Sequence, residues 1–142
     1  MAEGLLREMA KQRGLDIQTD SAGTGNSHLG QAPDPRAQAE MRKHGMDISD
    51  LRARLFTRAD FERFDLLLAM DRDNLDTLRE RCPPEAQDRL HLLMPFAQSA
   101  PTDEVPDPYY GAVSGFDLAL DLIEPACDGL LQELRRRLQA TA

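Results

Sequence analysis

Phe64-Asp65-Leu66-Leu67-Leu68-Ala69-Met70-Asp71 is the stretch that decides the fold. Its five consecutive apolar residues are too few for a helix and, bounded by an aspartate at each end, suit a strand buried on both faces. A strand of that kind belongs in a parallel sheet with helices above and below it. Asp71 then stands where a helix N-cap is needed, ahead of Leu75 and Leu78 at helical spacing. Working outward, Leu90 to Met94 follows Pro83-Pro84 as another strand, and Ile17 to Ala22 reads as a third, ending in the turn-rich run Ser21-Ala22-Gly23-Thr24-Gly25-Asn26-Ser27.

The remaining segments read as helices. Ala2, Leu5, Leu6, Met9 and Ala10 recur at helical spacing, with Lys11 and Arg13 in the last turn and Gly14 as a stop. Asp34 caps a helix that starts at Pro35 and ends at Gly45. Thr57 and Asp60 have the spacing of a capping box, and so do Ser114 and Asp117. Phe116, Leu120, Ile123, Cys127, Leu130, Leu134 and Leu138 stripe one face of a long final helix, which Pro125 is expected to kink or split in two. Strands alternating with helices predict a three-layer α/β domain, a small parallel sheet flanked by helices, occupying residues 1–142 as a single unit.

Composition narrows the function. The 142 residues are 41% hydrophobic and 30% charged, with a net charge of -8, the balance of a soluble globular protein. A surplus of acid argues against sequence-independent nucleic-acid binding, which draws on Lys and Arg. No apolar run approaches the roughly 18 residues of a membrane span, and the opening residues have no leader pattern, so a cytoplasmic setting is expected. Cys82 and Cys127 are too few and too far apart for a disulfide framework, and His28, His44 and His91 have no metal-ligand spacing. No metal site is therefore expected.

Four segments carry a resemblance: Ser21-Ala22-Gly23-Thr24, Pro33-Asp34-Pro35-Arg36-Ala37, Phe64 to Asp71, and Asp107-Pro108-Tyr109-Tyr110-Gly111. In this order and at these separations the chain resembles the low-molecular-weight protein tyrosine phosphatases, whose sheet is of the phosphotyrosine phosphatase I-like type. The opening Met1-Ala2-Glu3-Gly4 is similar to the tetrapeptide that follows the family's phosphate loop, Cys-x5-Arg-Ser-Pro. The resemblance thus implies that the first strand and the loop, with nucleophilic Cys and phosphate-clamping Arg, are absent from this sequence. The uncapped opening helix points the same way. A start at an internal Met, a cloned fragment and a gene remnant would all give this sequence.

The resemblance also implies roles. Asp107 is the general acid that protonates the leaving phenol oxygen and later activates water, on a loop stiffened by Pro106 and Pro108. Tyr109 and Tyr110 wall the slot that admits a phenyl phosphate, and Ser27 lies near the opposite wall, where the family often has a Trp that this chain lacks. Ser21 belongs to a network bracing the phosphate loop, usually with a His near the position of Leu51. Asp34 and Arg36 read as capping and structural.

No thiol here can substitute for the lost nucleophile, since the motif needs Arg six positions after Cys and this chain has Asp88 after Cys82 and Glu133 after Cys127. The expected activity is hydrolysis of a phosphotyrosine protein or small aryl phosphate through a cysteinyl-phosphate intermediate, with the truncated chain inactive. The alternatives are an arsenate reductase of the same fold, which needs two further redox cysteines, and a non-catalytic binding remnant. In the family the first strand lies between Ile17–Ala22 and Leu66–Met70, so its absence leaves a gap open to self-association.

Overall fold

The computed structural model describes residues 1–23, 29–97, 102–105 and 113–140, the side chains of 113–115 and 140 excepted. Among the described residues, five α-helices, α1 (Ala2–Gln12), α2 (Pro35–Lys43), α3 (Asp60–Arg63), α4 (Arg72–Arg81) and α5 (Val113–Ala140), accompany two strands, β1 (Leu67–Ala69) and β2 (Leu90–Leu92). Short 3₁₀ turns at Pro84–Arg89 and Met94–Phe96 flank β2.

The strands pair in parallel, with Leu67 opposite Leu90 and Ala69 opposite Leu92. Alternation along the apolar run builds the layers. Leu67 and Ala69 point into a cluster with Phe61, Leu75, Leu78 and Leu90, beneath α3 and α4. Leu66, Leu68 and Met70 pack on the larger cluster formed by α1, α2 and α5, which includes Leu5, Met41, Ile48, Leu120 and Leu130. A strand with a core on each face is the arrangement that five unbroken apolar residues require.

Local signals set the helix ends. The Asp34 carboxylate accepts from the Arg36 amide at 2.8 Å, and that of Asp71 from the Asn74 amide at 2.8 Å. Gly14 and Gly45, at φ of +67° and +77°, close α1 and α2. In each case the following amide returns to a carbonyl five residues back, Leu15 to Ala10 and Met46 to Met41, as a left-handed glycine cap allows.

Three expectations change. Ile17 to Ala22 does not become a strand: among the described residues, its amides make no ladder, and its nearest approach to a sheet is the isolated parallel bridge between Gly23 and Leu55. A strand exists only against a partner, and among the described residues none pairs with this one. Pro125 does not split the last helix, which runs unbroken from Val113 to Ala140. Buried residues on both sides of the proline, Leu120, Ile123, Cys127 and Leu130, hold the two halves to the same core. Finally, Ser114 is already inside α5, so the capping box assigned to it does not mark the helix start.

α5 also approaches the turn after β2 very closely. A Cβ on Gly129 would lie 1.9 Å from the Phe96 carbonyl oxygen, so only glycine fits that crossing.

Candidate active site

Of the residues assigned roles, Ser27, Asp107, Tyr109 and Tyr110 lie outside the described residues, and Ser21 lies within them. What the structure supplies is the framework from which those segments depart. The base of the segment holding Ser27 is fastened on both sides by residues 53–56. The Gly23 amide donates to the Arg54 carbonyl at 2.9 Å and the Phe56 amide to the Gly23 carbonyl at 2.9 Å, while Gly30 donates to the Ala53 carbonyl at 2.7 Å.

The acidic loop is likewise anchored just before Asp107. The Val105 amide donates to the Met70 carbonyl at 2.7 Å, at the carboxyl end of β1, and Val105 is buried. Glu104 accepts from the Arg72 amide at 2.8 Å, at the start of α4, and Arg72 pairs with Asp103. The loop therefore leaves from the carboxyl edge of the sheet, where open α/β sheets place their ligands.

Ser21 joins two parts of the chain, its hydroxyl donating to Glu3 in the first turn of α1. That is the helix end which the resemblance sets behind the phosphate loop. Leu51, where the family tends to have a His, is instead half-buried against the larger core. Asp34 and Arg36 are structural: the Arg36 guanidinium grips the Asp34 carboxylate at 3.0 and 3.1 Å and lies 4.8 Å over the Phe116 ring.

One network escaped the sequence reading. Asp60, 1% exposed, accepts from both terminal nitrogens of Arg54 at 2.9 Å and from the Thr57 amide at 2.9 Å. Arg54 also reaches Asp20 at 3.2 Å, whose other carboxylate oxygen accepts from the Ser21 amide. The capping-box spacing of Thr57 and Asp60 does not set the start of α3, which begins at Asp60 behind Ala59 without a side-chain cap; Asp60 instead locks residues 20–23 to residues 54–60. The Arg54 guanidinium holds the Asp60 carboxyl below the usual range.

Both thiols are buried and free. Desolvation pushes the Cys127 thiol up to about 12, and burial also raises that of Cys82. A thiol so shifted carries almost no thiolate at neutral pH, which a nucleophile needs. They also belong to separate apolar clusters, on opposite sides of the sheet.

The comparisons agree with the geometry. A family model for low molecular weight phosphotyrosine protein phosphatase matches residues 1–140. The low molecular weight protein-tyrosine-phosphatase of Streptomyces coelicolor is 37% identical over 147 residues, covering 100% of this chain and 89% of the relative. YfkJ of Bacillus subtilis, of the same description, is 31% identical, with 98% and 89% covered. Among solved structures, the protein tyrosine phosphatase of Entamoeba histolytica with Hepes in the active site superposes with a TM-score of 0.91 at 34% identity, over 95% of this chain and 87% of that one. A Drosophila arginine phosphatase superposes with a TM-score of 0.86 at 29% identity, over 94% and 87%. The chain belongs to the low molecular weight phosphotyrosine protein phosphatase family.

Proposed function

We propose that this chain is the body of a protein tyrosine phosphatase, and that as given it does not turn over. The family match across residues 1–140 carries the first part. The second rests on content: nowhere in the 142 residues does an Arg stand six positions after a Cys, and both thiols are buried. A phosphate dianion needs backbone amides at a helix N-terminus and a bidentate Arg, both to bind and to stabilise its transition state. A thiolate in that ring attacks phosphorus, and the phenol leaves with a proton from a general acid.

In this reading Asp107 is that acid, Tyr109, Tyr110 and Ser27 line the aryl slot, and Ser21 braces the start of α1. Hydrolysis needs no metal or organic cofactor. Substrates are phosphotyrosine proteins or small aryl phosphates in the cytoplasm. An arsenate reductase is disfavoured by the separation of the two buried thiols, since a relay must pass a disulfide from one to the other.

Assay of the purified chain on an aryl phosphate tests this, with no turnover expected above background. Turnover lost in Cys82→Ser or Cys127→Ser would overturn it. The role of Asp107 is tested by placing a strand and a Cys-x5-Arg-Ser-Pro loop before Met1. In that protein Asp107→Asn should slow a poor leaving group sharply and a good one little, because only the poor one needs a proton. Equal losses would make Asp107 a positioning residue.

A further inference from the structure

Hydrolysis of a phosphate ester leaves one buried carboxylate unaccounted for. Glu40, near the end of α2, is 3% exposed, and a glutamate is almost never so deep unless it is paired. Its Oε2 accepts from Lys43 Nζ at 3.3 Å, while Oε1 faces His44 Nε2 at 3.4 Å. From across the helix interface, Asp117 of α5 brings a third donor. One ligand atom from each of Glu40, His44 and Asp117 lies within 4.8 Å of the others.

We propose that Glu40, His44 and Asp117 form a three-ligand site for a divalent cation of the zinc class, tying α2 to α5. Bonds of about 2.0–2.2 Å at tetrahedral angles separate ligand atoms by roughly 3.3–3.6 Å, and the pair on α2 already stands at 3.4 Å. Glu40 and His44 are four residues apart, so the helix alone puts them on one face; Asp117 has only to close from the facing helix. An imidazole nitrogen with two carboxylate oxygens suits zinc and not the all-oxygen magnesium or calcium.

The surroundings favour a cation. His44 caps the C-terminus of α2, the negative end of its dipole. A cavity of about 180 Å³ beside His44 is lined by Glu8, Gln12 and Glu124, which brings two further carboxylates beside His44. Lys43 holds the other oxygen of Glu40, so Oε1 can ligate without displacing it. The outer side is open, since His44 and Asp117 are both exposed, leaving room for water as a fourth ligand.

Zn²⁺ titrated into the whole chain, followed by calorimetry and by thermal unfolding, tests the site, with Co²⁺ as a spectroscopic probe. One equivalent should bind and raise Tm, and Co²⁺ should give a visible ligand-field band. His44→Ala and Asp117→Asn, both at exposed positions, should each weaken binding by more than the roughly 100-fold that loss of an outer-shell partner costs, and should remove the band. His91→Ala should leave both unchanged, and Mg²⁺ should not raise Tm. Absence of Zn²⁺ binding, binding that survives in His44→Ala, or an equal response to Mg²⁺ would overturn the proposal.

Discussion

At the scale of the residue, Asp60 shows how a buried charge is made tolerable. Its carboxylate takes two bonds from Arg54 and one from the Thr57 amide. Arg54 is about a third exposed at its side chain and keeps Asp20 as a second partner, so removing the Asp60 charge does not strand a fully buried cation. Asp60→Asn should therefore cost about 2–3 kcal/mol, below the range for a wholly buried pair, read from the midpoint of urea unfolding at neutral pH. The sign with pH follows from the depressed carboxyl. Its stabilisation is complete above the unfolded value of about 3.9 and is lost as pH falls through the lower folded value. Wild-type and variant stabilities should accordingly begin to converge below about pH 4 and meet only below the lowered folded value; a gap that persists at still lower pH would mean that packing and not charge sets the cost.

At the scale of the element, α5 carries a proline in its middle without breaking. Pro125 removes one amide from the ladder, leaving the carbonyl of Asp121 without its helical donor, and both residues are exposed. An exposed proline contributes little packing, so Pro125→Ala should restore the bond at small loss elsewhere. Against a helix-interior penalty of about 3 kcal/mol stands the greater freedom that alanine gives the unfolded chain, about 0.4–1 kcal/mol. Allowing for incomplete recovery of the helical bond, we expect stabilisation of about 1–2 kcal/mol in urea unfolding. Loss of stability would show that Pro125 sets the path of α5 past α1, whose Arg13 meets Asp128 one turn beyond the proline.

At the scale of the whole molecule, the sheet has two paired strands among the described residues, and the segment Ile17 to Ala22 joins neither. Residues 15–20 alternate between half-buried and exposed, as a strand on a core would, yet their amides have no ladder partner among the described residues. Unpaired extended backbone is a template for another strand. Amide exchange should therefore be fast from Asp16 to Ala22 and slow at Leu67–Ala69, and sedentary monomers should give way to self-association as concentration rises in sedimentation measurements. Slow exchange at Asp16–Ala22 in a strict monomer would show the gap to be closed within the chain.

The sequence by itself determined what is decided within a few residues: the doubly covered strand at Leu67–Ala69, within the apolar run Leu66–Met70, the caps at Asp34 and Asp71, and the glycine stops at 14 and 45. Each is an interaction between neighbours in the chain, so its signal survives in a short window. The resemblance to the family, carried by Asp107-Pro108-Tyr109-Tyr110-Gly111 together with Ser21–Thr24, Pro33–Ala37 and Phe64–Asp71, is likewise a property of short segments. Tertiary structure alone decided whether Ile17 to Ala22 would pair, whether α5 would pass through Pro125, and which partners Asp60 and Glu40 would find. Asp20 and Arg54 are 34 residues apart, and Asp117 meets Glu40 from another helix. Such contacts are fixed by how layers pack around a shared core, because the cost of burying a charge or leaving an amide unpaired depends on what the rest of the chain brings beside it.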